Sequence, residues 1–246
     1  MESLISFTGM TKMLLYPHSK PDYHVALSLS LVLLGFNGKR LEVLLAKSHN
    51  PEYEGELFLP SQNLLANEDF MEAAISMFNQ LFGYAPGVLE QLKAFGKVSR
   101  SRGGRVVNIA HYALVKTSDF KAEEWSKFGL YWCDIDSIPE VAFDHNEIIE
   151  YARERLDRRV RRRPVGFEML PPEFTIGQLI KLYEKALRTK IDKRNFRKKL
   201  FKTYLLEDLG KKADGKVFGA QKGSQLYSFN IKAYEKMKGS TYPFQF

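Results

Sequence analysis

From His24 to Phe36 the chain is apolar at almost every position, the pattern of a strand buried on both faces. Asn37-Gly38 then supplies a hairpin turn, and Leu41–Ala46 returns as the next strand. Lys47–Leu59 reads as a polar loop with Pro51, Glu52, Glu54 and Glu56. The period changes over Asn67–Phe82, where Phe70, Ala73, Ala74, Met77, Phe78 and Leu81 recur at helical spacing. Asn67 is placed to cap that helix and Gly83 to close it. Leu92–Val98 and Val106–Val115 predict two strands around an Arg102-Gly103-Gly104-Arg105 turn. Gly129–Asp134 predicts a short strand and Asn146–Arg159 a helix.

After Arg163 the pattern breaks at Pro164, Gly166 and Pro171-Pro172. Thr175-Ile176-Gly177-Gln178 is a capping box. The helix it opens has Ile176, Leu179, Ile180, Tyr183 and Leu187 on one apolar face. Asp192 caps a second helix. Val217-Phe218, a Gly219–Gly223 loop and Leu226–Phe229 predict a hairpin. Helix, helix and β-hairpin make a winged helix-turn-helix plan. The expected domains are a lead-in (1–22), a first domain (23–160), a linker (161–173), the winged helix (174–236) and a tail (237–246).

Charge divides the chain at the same place. Residues 1–150 hold 13 Lys and Arg against 19 Asp and Glu, a balance of −6; residues 151–246 hold 24 against 10, a balance of +14. Folding does not need that asymmetry, but meeting a polyanion does. Of the 246 residues, 44% are hydrophobic and 13% aromatic, ample for a core. One cysteine, Cys133, excludes a disulfide framework or Cys-rich zinc site and fits a reducing cytoplasm. The five histidines show no ligand spacing. The apolar run Val25–Phe36 is too short to span a bilayer, and no secretory leader or membrane association is expected.

The second basic helix carries the sharpest signal. At about 100° per residue, Lys193, Arg194, Arg197 and Lys198 share roughly 140° of arc, with Phe196 and Leu200 on another side. In a helix-turn-helix the second helix enters the major groove. Arg194 and Arg197 are candidates to read bases, since Arg grips guanine with two hydrogen bonds. Lys193, Lys198, Lys199 and Lys202 suit phosphate, and the small basic loop Gly219-Ala220-Gln221-Lys222-Gly223 suits the DNA backbone. Arg158–Arg163 is either a linker touching phosphate or a solvated helix end.

Gly55–Tyr84 resembles the Nudix hydrolase motif, in which a glycine loop precedes a helix whose Arg and glutamates hold divalent metals. Gly55, Leu57, Leu59, Glu68, Ala73-Ala74, Phe78, Gly83 and Tyr84 keep that frame. Ser61 and Gln62 stand where the motif has glycines, Ser76-Met77 where it has Arg-Glu, and Gln80-Leu81 where it has paired glutamates. A hard cation needs anionic oxygens, so no metal, cofactor or catalytic residue is expected. Glu68 and Glu72, one turn apart, have the spacing to share a metal, but the helix dipole favours reading them as solvated acids in a helix's first turn.

The two halves together resemble the Nudix-related transcriptional regulators, the NrtR family, over roughly residues 22–236. Gly104–Leu114, Phe143-Asp144-His145 and Pro164–Leu200 carry the likeness best, above all Asp192-Lys193-Arg194-Asn195-Phe196-Arg197-Lys198. The resemblance implies an α+β chain: an N-terminal Nudix-like α/β/α sandwich with a mixed sheet, then a winged helix-turn-helix. It further implies a homodimeric repressor or activator on double-stranded operator DNA, whose Nudix fold senses an ADP-ribose-like metabolite or a pentose. The chain looks nearer the sugar-responsive Bacteroidetes-type branch.

Candidate ligand residues are Ser61 and Gln62, able to hydrogen-bond a sugar hydroxyl, and Arg102 and Arg105. The latter flank two glycines beside Arg100, in either an anion cradle or an ordinary hairpin with exposed arginines. Asp144-His145 reads as a helix start with a satisfied His, and Cys133 as a small buried hydrophobe. A divergent pyrophosphohydrolase and a ligand-independent DNA-binding scaffold are the alternative functions.

Overall fold

The computed structural model describes residues 25–48, 53–117, 125–215 and 218–237. The lead-in 1–22, His24, Pro51, Glu52, Val217 and tail residues 238–246 lie outside them.

The N-terminal domain is built on a mixed sheet. Strand β1 (Ala26–Phe36) turns at Asn37-Gly38 into antiparallel β2 (Leu41–Lys47), with Leu34 opposite Val43. Gly38 has φ +86°, a backbone conformation a side chain would strain. On its other edge β1 pairs in parallel with β6 (Val106–Lys116), from Ala26↔Val106 to Phe36↔Lys116. β5 (Leu89–Phe95) extends the sheet beyond β6, and β7 (Leu130–Asp134) pairs with β2. Two short strands, β3 (Leu57–Phe58) and β4 (Ser61–Asn63), pair with β2 and β1. They lie in and beside the segment that reads as loop; at two and three residues they are too short to show a period.

The sheet is covered on both faces. Leu29, Leu31 and Leu33 pack with helix α1 (Phe70–Phe82); Val32, Leu34 and Phe36 pack on the side of helix α2 (His145–Val160). Alternate residues of β1 thus face two cores, which is why its sequence shows no polar face. The sandwich is the expected one. Helix α1 starts two residues later than a cap at Asn67 implies: Asp69 is its N-cap residue, without a side-chain cap bond. Glu68 instead accepts the Leu65 amide in the preceding turn. Gly83 ends α1 in the left-handed conformation, as expected. β5 lies earlier than Leu92–Val98, because its pairing with β6 starts at Leu89↔Ala113 and Val98–Arg100 turn as a 3₁₀ helix.

The C-terminal domain follows α2. It contains α3 (Gly166–Met169), β8 (Phe174–Thr175), α4 (Ile176–Leu187), α5 (Lys193–Phe201), β9 (Leu206–Lys212), β10 (Gln225–Phe229) and α6 (Ile231–Met237). Its sheet runs β8-β10-β9. The first wing strand is therefore Leu206–Lys212; of the expected strand Val217-Phe218, Val217 lies outside the described residues and Phe218 is in a turn. Leu206-Glu207-Asp208-Leu209-Gly210-Lys211-Lys212 is a mostly exposed edge strand and so carries little apolar signal. The segment 161–173, expected as a linker, contains α3, which begins at Gly166, where an added Cβ would lie 2.3 Å from Phe229; Phe167 stacks on Phe229 at 4.0 Å. One apolar cluster runs from β1, β2 and β6 through Ala152, Leu156 and Val160 of α2 into Leu179, Leu182, Tyr183 and Ala186 of α4. The two domains share that core.

Candidate ligand cavity and nucleic-acid interface

The helix-turn-helix is fixed by local chemistry. The Thr175 hydroxyl accepts the Gln178 amide, and the Gln178 side chain accepts the Thr175 amide at 2.7 Å, so the capping box is complete. Asp192 accepts the amides of Arg194 and Asn195 at 3.0 and 3.2 Å. Phe196 and Leu200 anchor α5 in the core, with Phe196 edge-on to Tyr183 at 5.3 Å. This burial turns Lys193, Arg194, Arg197, Lys198 and Lys202 outward, and all five are exposed. A groove of about 610 Å³ runs between α5 and the wing, lined by Lys193, Arg197, Gln221, Lys181 and Lys190 among others. Arg194, Lys198, Lys202 and Lys222 do not line it; Lys222 sits exposed in the wing loop. Arg159 of the Arg158–Arg163 run forms an ion pair with Glu90, and Arg161 one with Asp157.

Two adjoining cavities open on the N-terminal domain. The outer, about 680 Å³, is lined by Lys97, Arg100, Arg102, Glu56 and Glu140 with neighbouring apolar groups. The inner, about 430 Å³, is lined by Ser28, Ser61, Gln62, Asn63 and Asn108 with Phe58 and His145. Tyr53, Arg100 and Phe143 line both. Arg100 is buried and grips the Asp144 carboxylate with two hydrogen bonds of 2.8 and 3.1 Å. Phe143 adopts φ +60°, unusual for a large side chain, and its ring lies 5.4 Å from Tyr53.

A polar relay lies beneath the inner cavity. Ser61 Oγ donates to the Leu59 carbonyl at 2.7 Å, which leaves Ser30 Oγ to donate to Ser61 Oγ at 2.8 Å. Asn108 Nδ2 donates to Ser28 Oγ and Ser30 Oγ at 3.0 and 2.6 Å. Asn108 Oδ1, on a side chain 1% exposed, has no partner among the described residues. Behind it His145 Nδ1 accepts the Leu59 amide at 3.0 Å, so the ring proton sits on Nε2. Burial pushes the His145 pKa down to about 4.

Residues 166–229 match the NrtR DNA-binding winged helix domain family. The chain is similar to Shewanella oneidensis NrtR, solved in complex with a 27mer DNA: 25% identity, TM-score 0.70, covering 85% of this chain and 95% of that one. It is 23% identical over 223 residues to the ADPR responsive transcriptional repressor NtrR of Acinetobacter baylyi, covering 89% of this chain and 88% of that protein. Residues 166–229 are thus an NrtR-type winged helix, and the chain as a whole is similar to NrtR proteins. A MutT/nudix family protein from Enterococcus faecalis shares the fold, with TM-score 0.63 and 22% identity over 93% of this chain.

The positions that resemble the end of the Nudix box fall along α1. Met77 is buried in the core beneath the sheet, Ser76 and Gln80 are exposed, and Gln80 Nε2 donates to Ser76 Oγ at 3.2 Å. None supplies an anionic oxygen, so these positions do not fit a hard divalent ion. No cluster of three or more His, Cys, Asp or Glu able to hold a metal occurs among the described residues.

Of the candidate ligand residues, Ser61, Gln62 and Arg102 reach the cavities. Arg105 does not: its Nη1 donates to the Gly96 carbonyl at 2.6 Å, closing the hairpin in place of a ligand contact. His145 is the satisfied histidine expected, but Asp144 gives α2 no side-chain cap bond and pairs with Arg100. Cys133, expected to be buried, is half-exposed because β7 lies at the sheet's edge beyond β2. Tyr53, Asn108 and Phe143 carry no ligand signal in the sequence; only the pairing of β1 with β6 and the turn before α2 bring them to the cavities.

Proposed function

We propose that the chain is a ligand-responsive transcriptional regulator that binds operator DNA through its winged helix. The exposed basic face of α5 beside the wing groove carries this reading. The similarity to an NrtR solved on a 27mer DNA, and to a repressor described as ADPR-responsive, supports it. Arg194 and Arg197 are assigned to base edges; Lys193, Lys198, Lys202, Gln221 and Lys222 are assigned to the DNA backbone. The regulator acts as a homodimer in the cytoplasm, two recognition helices meeting two half-sites of a palindrome.

The N-terminal domain senses rather than hydrolyses, because Ser76, Met77, Gln80 and Leu81 cannot bind the cations Nudix hydrolysis requires. Its effector is a sugar or nucleotide sugar. Hydroxyls and amides in the inner cavity suit a pentose unit, while Lys97, Arg100 and Arg102 in the outer one suit an anionic extension such as a diphosphate. Ligand that prefers one dimer geometry changes the spacing of the recognition helices and hence operator affinity.

The test is titration of a selected duplex with and without ADP-ribose or L-arabinose. A change of about 5-fold or more with one of them is expected. Equal affinity throughout would remove the sensing role, and Mg²⁺- or Mn²⁺-dependent hydrolysis of ADP-ribose to AMP and ribose 5-phosphate would favour an enzyme.

A further inference from the structure

The wing is held by the N-terminal domain. Phe218, in the wing loop, takes φ +47°, a strained backbone for a large side chain. Its ring stands edge-on to Phe36 at 6.2 Å, at the end of β1. Its carbonyl points at the β1–β2 turn so closely that a Cβ on Gly38 would lie 2.0 Å from the oxygen. The same carbonyl accepts Gln178 Nε2 at 2.6 Å. Gln178 caps α4 with its other amide atom and lines the DNA groove. One backbone carbonyl therefore ties the turn of the N-terminal domain, the wing and the start of the helix-turn-helix together.

β1 reaches from this contact to the inner cavity. Ser28 and Ser30 hold Asn108 at one end of the strand, and Phe36 touches Phe218 at the other. Eight residue-to-residue steps lead from Ser28 to Phe36, a span of about 26 Å. From Ser28 to Phe36 every residue of β1 is buried, and each is paired with β6, so the strand moves as a unit or not at all.

We propose that Gly38 and Phe218 form a latch between the N-terminal domain and the wing. Through it β1 couples the state of the inner cavity to the placement of the wing on DNA. Phe218 is a positioning residue: it sets where the wing and the α4 N-terminus lie. The inference rests on the DNA-binding reading above. It requires energetic reciprocity, because a cavity that moves the wing through β1 implies that DNA on the wing stiffens the turn.

The test is amide hydrogen exchange on the full chain, with and without duplex selected by the protein from a random pool. The amides of Asn37, Lys39 and Arg40 report the turn: Asn37 donates to the Arg40 carbonyl, the other two to Asn37 Oδ1. Duplex is expected to slow their exchange by about 5-fold or more. In Phe218→Ala the duplex still binds but the slowing is lost, and Phe218→Leu restores it. Should Phe218→Ala not fold, Gly38→Ala breaks the contact from the other side and must show the same loss. Unchanged turn exchange in duplex-bound wild type, or wild-type slowing in the folded variant, overturns the latch alone. Failure of the wild-type chain to retain any duplex overturns both the latch and the DNA-binding reading.

Discussion

Lowering the pH should destabilise the chain through His145. The ring is 2% exposed and accepts the Leu59 amide, so it is neutral in the folded state, and burial lowers its pKa to about 4. The unfolded chain takes up this proton near pH 6.5, whereas the folded chain does so only near 4. The stability contribution is therefore complete above about pH 6.5 and is lost as pH falls between the two values. Integrating this difference from pH 7.5 to 4.5 gives a loss of about 2–3 kcal/mol. The assay is urea unfolding followed by tryptophan fluorescence at both pH values, in wild type and in His145→Asn. Asn keeps an acceptor for the Leu59 amide but does not titrate. Carboxylates such as Asp136, held low by its hydrogen bond to Lys185 and by Arg153, titrate alike in both proteins and cancel. The stability lost on acidification should be smaller in His145→Asn by about 2–3 kcal/mol. The same pH dependence in the two proteins would refute a buried, neutral His145.

Arg100→Leu should destabilise the fold by about 3–5 kcal/mol, because it leaves the Asp144 carboxylate, 10% exposed, without its partner. Adding Asp144→Asn should recover part of the loss, and denaturant melts of the full mutant cycle that add independently would contradict this. Gly166→Ala should cost about 1–3 kcal/mol, since its methyl would lie 2.3 Å from Phe229 and 3.0 Å from Leu179; a wild-type melting curve would exclude that contact. Arg197→Ala should weaken binding to a selected duplex by about 1–3 kcal/mol and leave random duplex nearly unchanged. Equal loss on both, read by fluorescence anisotropy, would reassign Arg197 to phosphate.

The architecture was legible where burial writes a period into the sequence. The two-faced apolar run of β1, the helical spacing of α1 and the capping of α4 and α5 each leave a local signature that the fold keeps. The wing's first strand was not, because Leu206–Lys212 is an exposed edge that buries too little to alternate. The cavity was legible only in part. Ser61 and Gln62 are marked by standing where a glycine loop is expected, but Asn108 owes its role to parallel pairing with Ser28 across 80 residues of chain. Phe143 owes its role to a backbone conformation that no residue type announces. Arg105 shows the converse: the right side chain in a promising turn, consumed by the Gly96 carbonyl.

Binding of purified full-length protein to sheared genomic DNA from its source, with sequencing of what is retained at moderate salt, tests the central claim most directly. A regulator with paired recognition helices should recover a palindrome whose half-site centres lie about one helical turn, or a multiple, apart. Retention without sequence preference, or no retention, would contradict the claim that the basic face of α5 reads an operator.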